Sequence, residues 1–261
     1  MSIAPNRLLR QWKARFGIRK RVRELTAELK CVFPQLDSLV PSPHSGGFDS
    51  IYFLEDAACQ RFGVLRLNNP HQKRKVVHTD LPRRSPAPAE RIDREWQAYS
   101  VLAPLGISPR PLWRSHDAIV CAYSPHASFR KLIEGGAVDV ARALEAILNS
   151  IGRMHEAGIA HLDLSPGNVL VCPNTFDAVL IDFEYVPMPG RSFEEDCRYD
   201  WWQMIGRLRK RATILGRQAE IESAIERAVV GSRFRQQVEQ ALDESVKQSG
   251  RSSESGEIGA S

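Results

Sequence analysis

Hydrophobic and polar residues alternate along several short stretches in the first half of the chain. The alternation predicts two strands, "FDSIYFLED" and "RFGVLRLNN", joined by a short turn. The apolar run in "HDAIVCAYS" predicts a third strand. Between the second and third strands, "RIDREWQAYSVLAPLG" has apolar residues at helical spacing and predicts a helix that ends at Gly106. The first half of the chain is therefore predicted to be rich in strands.

The second half carries apolar residues at the period of a helix. Ser128 is predicted to cap the N-terminus of a short helix, "FRKLIEGG". Residues 138–157 predict a longer helix with one buried stripe, which consists of Val140, Leu144, Ile147, Leu148, Ile151 and Met154.

One pair of strands interrupts these helices. The apolar runs "NVLVC" and "AVLIDF" predict a short hairpin, and further helices are predicted from about Asp200 to Leu215 and over residues 218–245. The order of the elements predicts an α+β fold with two lobes, a small β-rich N-lobe and a mainly helical C-lobe.

Composition divides the chain into four predicted segments. They are a basic amphipathic N-terminal helix within residues 1–40, the N-lobe over residues 41–123, the C-lobe over residues 124–247 and a disordered tail over residues 248–261. The tail is polar and made of small residues, so it has little apolar surface to bury. Within the N-lobe, the Pro-rich basic residues 70–91 predict a mobile connection, and "VPSPHSGG" predicts a loop.

The overall composition is that of a soluble globular protein, with 43% hydrophobic and 26% charged residues in 261. No apolar run approaches the roughly 20 residues that a membrane-spanning helix needs. The five cysteines are scattered without a C-x-x-C pair, which favours a reducing cytoplasm over a disulfide framework. We therefore expect a cytoplasmic protein.

The net charge of +5 is concentrated at the N-terminus. Residues 1–30 hold nine Lys and Arg against two Glu, and the rest of the chain is slightly acidic. This distribution argues against a nucleic-acid partner. The basic helix expected over residues 5–30 either lies on an anionic membrane surface or packs on the domain. The first alternative would place the protein peripherally at the inner face of the membrane.

Three oxygen-bearing side chains are predicted to converge near the hairpin. Asp163 and Asn168 lie five residues apart in "IAHLDLSPGNVLV", and Asp182 ends the strand that the hairpin returns beside that loop. Phosphoryl transfer needs a group that orients the attacking hydroxyl, and oxygen ligands for Mg²⁺. Asp163 suits the first role, and Asn168 and Asp182 suit Mg²⁺ ligation. We expect His161 to brace the loop through hydrogen bonds rather than to transfer a proton.

These motifs resemble the catalytic and metal-binding loops of the protein-kinase-like superfamily, H-R-D-L-x-x-x-N and D-F-G. Leu162 and Glu184 replace the usual Arg and Gly, which points away from regulated protein kinases. "HLDLSPGN" is similar to aminoglycoside phosphotransferases, and "IDFEY" resembles choline, ethanolamine and thiamine kinases. The resemblance spans about residues 44–215 and implies a two-lobed kinase-like fold that uses ATP and Mg²⁺.

The same resemblance implies roles in the N-lobe. Gly46 and Gly47 in "HSGGFDS" are similar to a shortened phosphate-covering loop. Arg66 occupies the position of the usual strand lysine; it keeps the charge but not the geometry. Glu95 occupies the position of the helix glutamate that pairs with that cation.

Two further positions follow from the resemblance. Residues 119–124, which include Cys121 and Tyr123, would form the hinge strand whose backbone meets adenine. Asp200 would anchor the catalytic loop from the start of the next large helix. The adjacent Trp201 and Trp202 are expected to be core residues.

The acceptor is less defined than the reaction. About forty residues separate the hinge from His161, fewer than aminoglycoside and choline kinases usually carry there. This small second lobe is closer in size to kinases of the lipopolysaccharide core and to RIO- and Bud32-like kinases. We favour the hydroxyl of a sugar or lipid-linked sugar as the acceptor. A soluble small-alcohol kinase, a minimal protein serine/threonine kinase and a pseudokinase that binds a partner remain as alternatives.

Overall fold

The computed structural model describes residues 16–43, 49–71 and 81–243. These residues form two units. The small unit contains residues 16–43, 49–71, 86–100 and 109–124, and the large unit contains residues 81–85, 101–108 and 125–243.

The helices and strands are numbered here in chain order. The strands are β1 (Ser38–Pro41), β2 (Asp49–Glu55), β3 (Arg61–Asn68), β4 (Arg83–Arg84), β5 (Pro111–Arg114), β6 (Ala118–Ala122), β7 (Ala127–Ser128), β8 (Val169–Val171), β9 (Ala178–Leu180) and β10 (Val186–Pro187). The helices are α1 (Arg19–Val32), α2 (Pro88–Leu102), α3 (Phe129–Gly135), α4 (Val140–Glu156), α5 (Phe193–Leu215) and α6 (Gln218–Gly231). Residues 235–243 are also helical.

The small unit is built on an antiparallel sheet in the order β1-β2-β3-β6-β5. Strands β2 and β3 follow the predicted alternation, with Leu54 and Leu65 fully buried, whereas β6 is buried on both faces over Ala118–Cys121. Strand β1 pairs with β2 from Ser38 opposite Glu55 to Pro41 opposite Tyr52, and its last two residues, Val40 and Pro41, lie in the segment predicted as a loop.

Helix α1 packs on this sheet. Its buried Leu25 and Leu29 join one apolar cluster with sheet residues such as Leu65, and Arg21 forms hydrogen bonds of 2.9 and 2.8 Å with Asp117. The apolar face of residues 19–32 is thus used within the small unit, which favours packing on the domain for this part of the N-terminal helix. Residues 1–15 lie outside the described residues. No helix in the described segments is long and apolar enough to cross a membrane.

Helix α2 ends at Leu102, four residues before the predicted end at Gly106. A single 3-10 turn (Ala103–Leu105) follows it, and Gly106 closes this turn at a φ of 72°. A left-handed φ of this kind is favourable for glycine because it has no Cβ.

The large unit contains the predicted helical stripe and hairpin. Along α4, Leu144, Ile147 and Ile151 are fully buried. The predicted cap of α3 is confirmed, because the Ser128 hydroxyl accepts a hydrogen bond from the Lys131 amide. Strands β8 and β9 pair as predicted, and β7 adds a third strand to them.

Two helix boundaries differ from the prediction. Helix α5 begins at Phe193 rather than near Asp200, because Ser192 and Glu195 form a capping box at its start. The helix predicted over residues 218–245 is broken at Ser232, whose extended backbone ends α6 and whose hydroxyl accepts from the Phe234 amide at 3.1 Å.

The mobile connection predicted over residues 70–91 is wrong for its described C-terminal part. Arg83 and Arg84 form β4, which pairs with β10 at Pro187 and Val186. Helix α2 already begins at Pro88. Residues 72–80 lie outside the described residues.

Candidate active site

The loop after α4 is held by one buried carboxylate. Asp200 is fully buried on α5, and its Oδ2 accepts from the His161 amide at 2.6 Å while its Oδ1 accepts from the Leu162 amide at 2.7 Å. The His155 Nε2, near the end of α4, lies 3.1 Å from the same Oδ2. Asp200 therefore joins the loop to both long helices, which is the anchoring position the sequence assigned to it.

Leu162 adopts an unusual backbone conformation inside this clamp. Its φ is +67°, in the left-handed region that a residue with a Cβ rarely occupies. The Leu162 amide donates to Asp200, and its carbonyl oxygen accepts from the Arg83 Nη1 at 2.6 Å. Its side chain is fully buried. The residue before Asp163 is thus restrained on both sides, and this fixes the direction in which Asp163 leaves the backbone.

His161 links the loop to the strand pair. Its Nδ1 accepts from the Asp163 amide at 3.2 Å, so in the neutral ring the proton is on Nε2. The Nε2 then donates to the Ile181 carbonyl oxygen at 2.9 Å. The ring lies 4.5 Å from that of Phe183, centroid to centroid. Both nitrogens are used in holding the loop against the residues around Asp182.

Asp163 meets two guanidinium groups. The Arg207 Nη2 donates to its Oδ1 at 2.6 Å, and the Arg83 Nη1 donates to the same oxygen. Burial alone would lower the pKa of Arg83, but the Asp163 carboxylate outweighs it and holds that pKa above its ordinary value. The two arginines set the rotation of the carboxylate.

Asn168 and Asp182 lie where the hairpin meets this loop. The Asn168 Nδ2 donates to the Asp163 carbonyl oxygen at 2.9 Å, which leaves the amide oxygen of Asn168 as its ligand atom. The Asn168 carbonyl oxygen accepts from the Ile181 amide at 3.0 Å, next to Asp182. Asp182 has a φ of +78°, a second left-handed position at this site. Backbone strain of this kind persists only where the surrounding structure enforces it.

Three carboxylates gather at this point. Asp163, Asp182 and Glu184 each place a carboxylate oxygen so that the three atoms lie within 4.8 Å of one another. Hard divalent cations such as Mg²⁺ prefer carboxylate and amide oxygens, and this donor set consists of them. The residues therefore fit Mg²⁺, and Glu184 extends the ligand set that the sequence suggested.

The small unit carries a separate network of buried charges. The Arg66 Nη1 donates to Glu95 Oε1 at 2.6 Å, the pairing that the resemblance implied. The Arg66 Nη2 also donates to Asp49 Oδ2 at 3.0 Å, and the Tyr99 hydroxyl donates to Glu95 Oε1 at 2.7 Å. Arg91 is a second cation on Asp49. The strand cation is thus held by two carboxylates rather than by one.

The predicted hinge lies on β6 and just after it. Cys121 is buried, and burial raises the pKa of its thiol well above the ordinary value, so the thiol is neutral. The Tyr123 amide donates to the Phe62 carbonyl oxygen at 3.0 Å and is therefore used within the sheet. Gly46 and Gly47 lie outside the described residues, so their predicted role in covering phosphates stays a prediction.

Several residues at these two sites were not identified from the sequence. They are Asp49, Arg83, Glu184 and Arg207, together with His155. Arg83 lies in a segment whose Pro and basic residues suggested a mobile connection, and Arg207 directly precedes the basic run "LRKR", which is typical of a solvated helix face. The two adjacent tryptophans also differ: Trp201 is buried as expected, but Trp202 is 45% exposed, so the core interpretation is wrong for it.

No protein-family model matches this sequence, and no curated protein matches it. Among solved structures, the chain is similar to the Rio2 kinase of Chaetomium thermophilum in its ADP/Mg²⁺-phosphoaspartate complex. The TM-score is 0.56 at 17% sequence identity, and the match covers 90% of this chain and 77% of that chain.

At that identity the likeness establishes the fold. The chain has a protein-kinase-like fold, with a small unit built on an antiparallel sheet and a mainly helical large unit. The predicted α+β fold class is therefore confirmed.

The buried network predicts a stability effect at Arg66. Replacing Arg66 by Met leaves Asp49 and Glu95 with one cation fewer, and breaking a buried pair in this way costs about 3–5 kcal/mol. We expect that loss in the free energy of unfolding, measured by urea denaturation. The matched control is Arg61→Met on the same strand, which removes a surface cation 3.0 Å from Glu55 and should have little effect. Equal effects of the two substitutions would contradict the network.

Proposed function

We propose that this protein is an ATP-dependent phosphotransferase that moves the γ-phosphoryl group of ATP to a hydroxyl of a sugar or lipid-linked sugar. An acceptor of the lipopolysaccharide-core type is favoured. The proposal rests on the position of Asp163. This residue lies on the loop that Asp200 anchors, and one of its carboxylate oxygens is close to those of Asp182 and Glu184. In a kinase-like fold, this combination matches the needs of phosphoryl transfer.

The reaction assigns a task to each residue of the large unit. The acceptor hydroxyl donates a hydrogen bond to the Asp163 carboxylate, and its oxygen forms a bond to the γ-phosphorus. The bond from that phosphorus to the bridging oxygen breaks, ADP leaves, and the hydroxyl proton passes to Asp163. Asp182, Glu184 and the Asn168 amide oxygen would hold Mg²⁺. When bound, Mg²⁺ supplies positive charge that stabilises the transferring phosphoryl group.

The small unit would contribute a cation to nucleotide binding. Arg66 is positioned by Glu95 and Asp49, and its side chain is 15% exposed. A partly exposed guanidinium can pair with phosphate oxygens while its other donors stay on the two carboxylates. Gly46 and Gly47 are proposed to cover the phosphates, and the backbone of residues 119–124 to meet adenine.

The surface of α5 near Asp163 supports a sugar acceptor. The exposed Trp202 ring stacks obliquely on Tyr199, with centroids 5.7 Å apart, and the Gln203 amide donates to the Tyr199 hydroxyl at 2.6 Å. An amphipathic aromatic face beside a hydroxyl group suits the mixed apolar and hydroxylated surface of a sugar ring. A polypeptide serine or a simple alcohol does not require such a surface.

Phosphoryl transfer should depend on Asp163. We expect purified protein to transfer label from [γ-³²P]ATP with Mg²⁺ to a glycolipid or oligosaccharide fraction of the source cell. Asp163→Asn should lower the rate by about 100-fold or more, since it removes the proton acceptor. Asp177→Asn, an exposed carboxylate in the β8–β9 turn, is the matched control and should retain the wild-type rate.

The same screen separates the alternatives. Label in protein serine or threonine would support a protein kinase, and label in choline, ethanolamine or an aminoglycoside would support a small-alcohol kinase. If ATP turnover is absent with every fraction, and Asp163→Asn changes nothing, the enzyme proposal fails and a pseudokinase is supported.

We also propose that residues 1–30 contact the membrane through electrostatic attraction between basic side chains and anionic lipids. The apolar face of α1 is buried in the small unit, so contact by its described residues would rest on exposed cations such as Arg19, Lys20 and Arg23. Such contact would place the enzyme at the cytoplasmic face of the membrane, where anionic lipids attract basic segments.

A salt titration tests this contact. We expect the full-length protein to sediment with vesicles containing anionic lipid and not with neutral vesicles. Binding should be lost towards about 1 M salt, where the Debye length is roughly 3 Å. The triple substitution of Arg19, Lys20 and Arg23 by Gln should reduce the bound fraction. Unchanged sedimentation in the triple variant, or insensitivity to salt, would rule out this role for α1.

A further inference from the structure

We propose that the acceptor sugar carries an anionic group, a carboxylate or a phosphate, close to the hydroxyl that reacts, and that Arg207 recognises it. This inference rests on the proposed function and adds the charge of the acceptor to it. Arg207 is then a specificity-determining residue, and Arg83 is a positioning residue for Asp163.

The two arginines on Asp163 are held very differently. The Arg83 side chain is 9% exposed, and its Nη1 is shared between the Leu162 carbonyl oxygen and Asp163. Its guanidinium carbon lies 4.0 Å from the centre of the Tyr185 ring, and its backbone is paired in β4 with β10. Arg83 is therefore a fixed part of the loop.

Arg207 is open to a ligand. Its side chain is 37% exposed. Within the described residues it makes one hydrogen bond, which its Nη2 donates to Asp163 Oδ1 at 2.6 Å. A guanidinium has five N–H donors, so most of those on Arg207 remain available. They lie beside the carboxylate that would orient the acceptor hydroxyl.

The hydrogen bonds on Asp163 limit where a hydroxyl can approach. A carboxylate oxygen has about two lone-pair sites, and on Oδ1 both are used, one by Arg83 and one by Arg207. The acceptor hydroxyl is left with Oδ2. An acceptor bound there lies next to the Arg207 guanidinium, so a charged substituent near its reactive hydroxyl would meet that cation.

A polar row on α5 extends from Arg207. Tyr199, Gln203 and Arg207 are spaced four residues apart and share one helix face. The Tyr199 hydroxyl accepts from Gln203, and within the described segments its own proton meets no acceptor. Burial raises the pKa of Tyr199 above its ordinary value, so the hydroxyl stays a donor at neutral pH. Gln203 is buried and donates to Tyr199, so the donors that this row offers to an oxyanion are the Tyr199 hydroxyl and the Arg207 guanidinium.

The positive charge of Arg207 favours some classes of acceptor over others. The remaining N–H donors of Arg207, beside the reactive hydroxyl, attract a carboxylate or phosphate and form charge-assisted hydrogen bonds with it. They oppose the cationic head of choline or the ammonium groups of an aminoglycoside. A neutral sugar would leave the donors of Arg207 to water.

The test uses one acceptor pool in three forms. The glycolipid and oligosaccharide fraction is mock-treated, treated to convert its carboxylates to neutral amides, or treated with a phosphomonoesterase. Each form is then labelled with [γ-³²P]ATP and Mg²⁺. Loss of labelling after amidation identifies a carboxylate, and loss after phosphatase identifies a phosphate. Equal labelling of all three forms overturns the inference while leaving the proposed function intact. If no form is labelled in the wild type, the proposed function fails and this inference fails with it.

Variants at Arg207 separate recognition from a purely structural role. Arg207→Gln should raise the half-saturating concentration of the mock-treated pool by about tenfold or more. It should leave the KM for ATP unchanged, and Arg207→Lys should recover part of the loss. Arg209→Gln, which removes a cation paired with Glu222 on the solvent side of the same helix, is the control. If Arg207→Gln lowers kcat without raising the half-saturating concentration, Arg207 only holds Asp163 and the inference is wrong.

Discussion

The geometry of the candidate active site depends on the carboxylate of Asp200. It is fully buried, and it accepts hydrogen bonds from the backbone amides of His161 and Leu162. Burying a carboxylate is unfavourable unless its charge is satisfied, and the two amides satisfy it. The left-handed backbone of Leu162 is unfavourable unless it is restrained, and the hydrogen bond to Asp200 restrains it. Arg83 completes the restraint from the carbonyl side of Leu162. The outcome is a loop that places Asp163 beside Asp182 and Glu184.

Each unit holds one carboxylate between two arginines. In the large unit, two arginines converge on Asp163, and in the small unit, Arg66 and Arg91 converge on Asp49. Paired charges of this kind contribute little net stability but strongly penalise the loss of one partner. They therefore fix side-chain positions more than they stabilise the fold. Such fixed positions would suit the proposed binding of a nucleotide and an acceptor.

Patterns within a short stretch of sequence predicted most of the fold and part of the site. The strand alternation, the α4 stripe and the spacing of Asp163, Asn168 and Asp182 are local, and so is the Ser128 cap. Arg83 and Arg207 could not be found in this way because they are distant from Asp163 in the sequence. Arg83 is 80 residues away from it and Arg207 is 44 residues away. A basic residue in a Pro-rich segment or on a helix looks solvated unless its distant carboxylate partner is known. The exposure of Trp202 beside the buried Trp201 likewise depends on how α5 packs.

We propose above all that the Asp200-anchored loop forms a site for Mg²⁺ and ATP. Isothermal titration of ATP with and without Mg²⁺ tests it most directly, using the wild type, Asp182→Asn and the control Asp177→Asn. We predict that Mg²⁺ strengthens ATP binding by about tenfold or more in the wild type and the control, and that Asp182→Asn abolishes this gain. ATP binding that is equally strong with and without Mg²⁺, or a full Mg²⁺ effect in Asp182→Asn, would contradict the account.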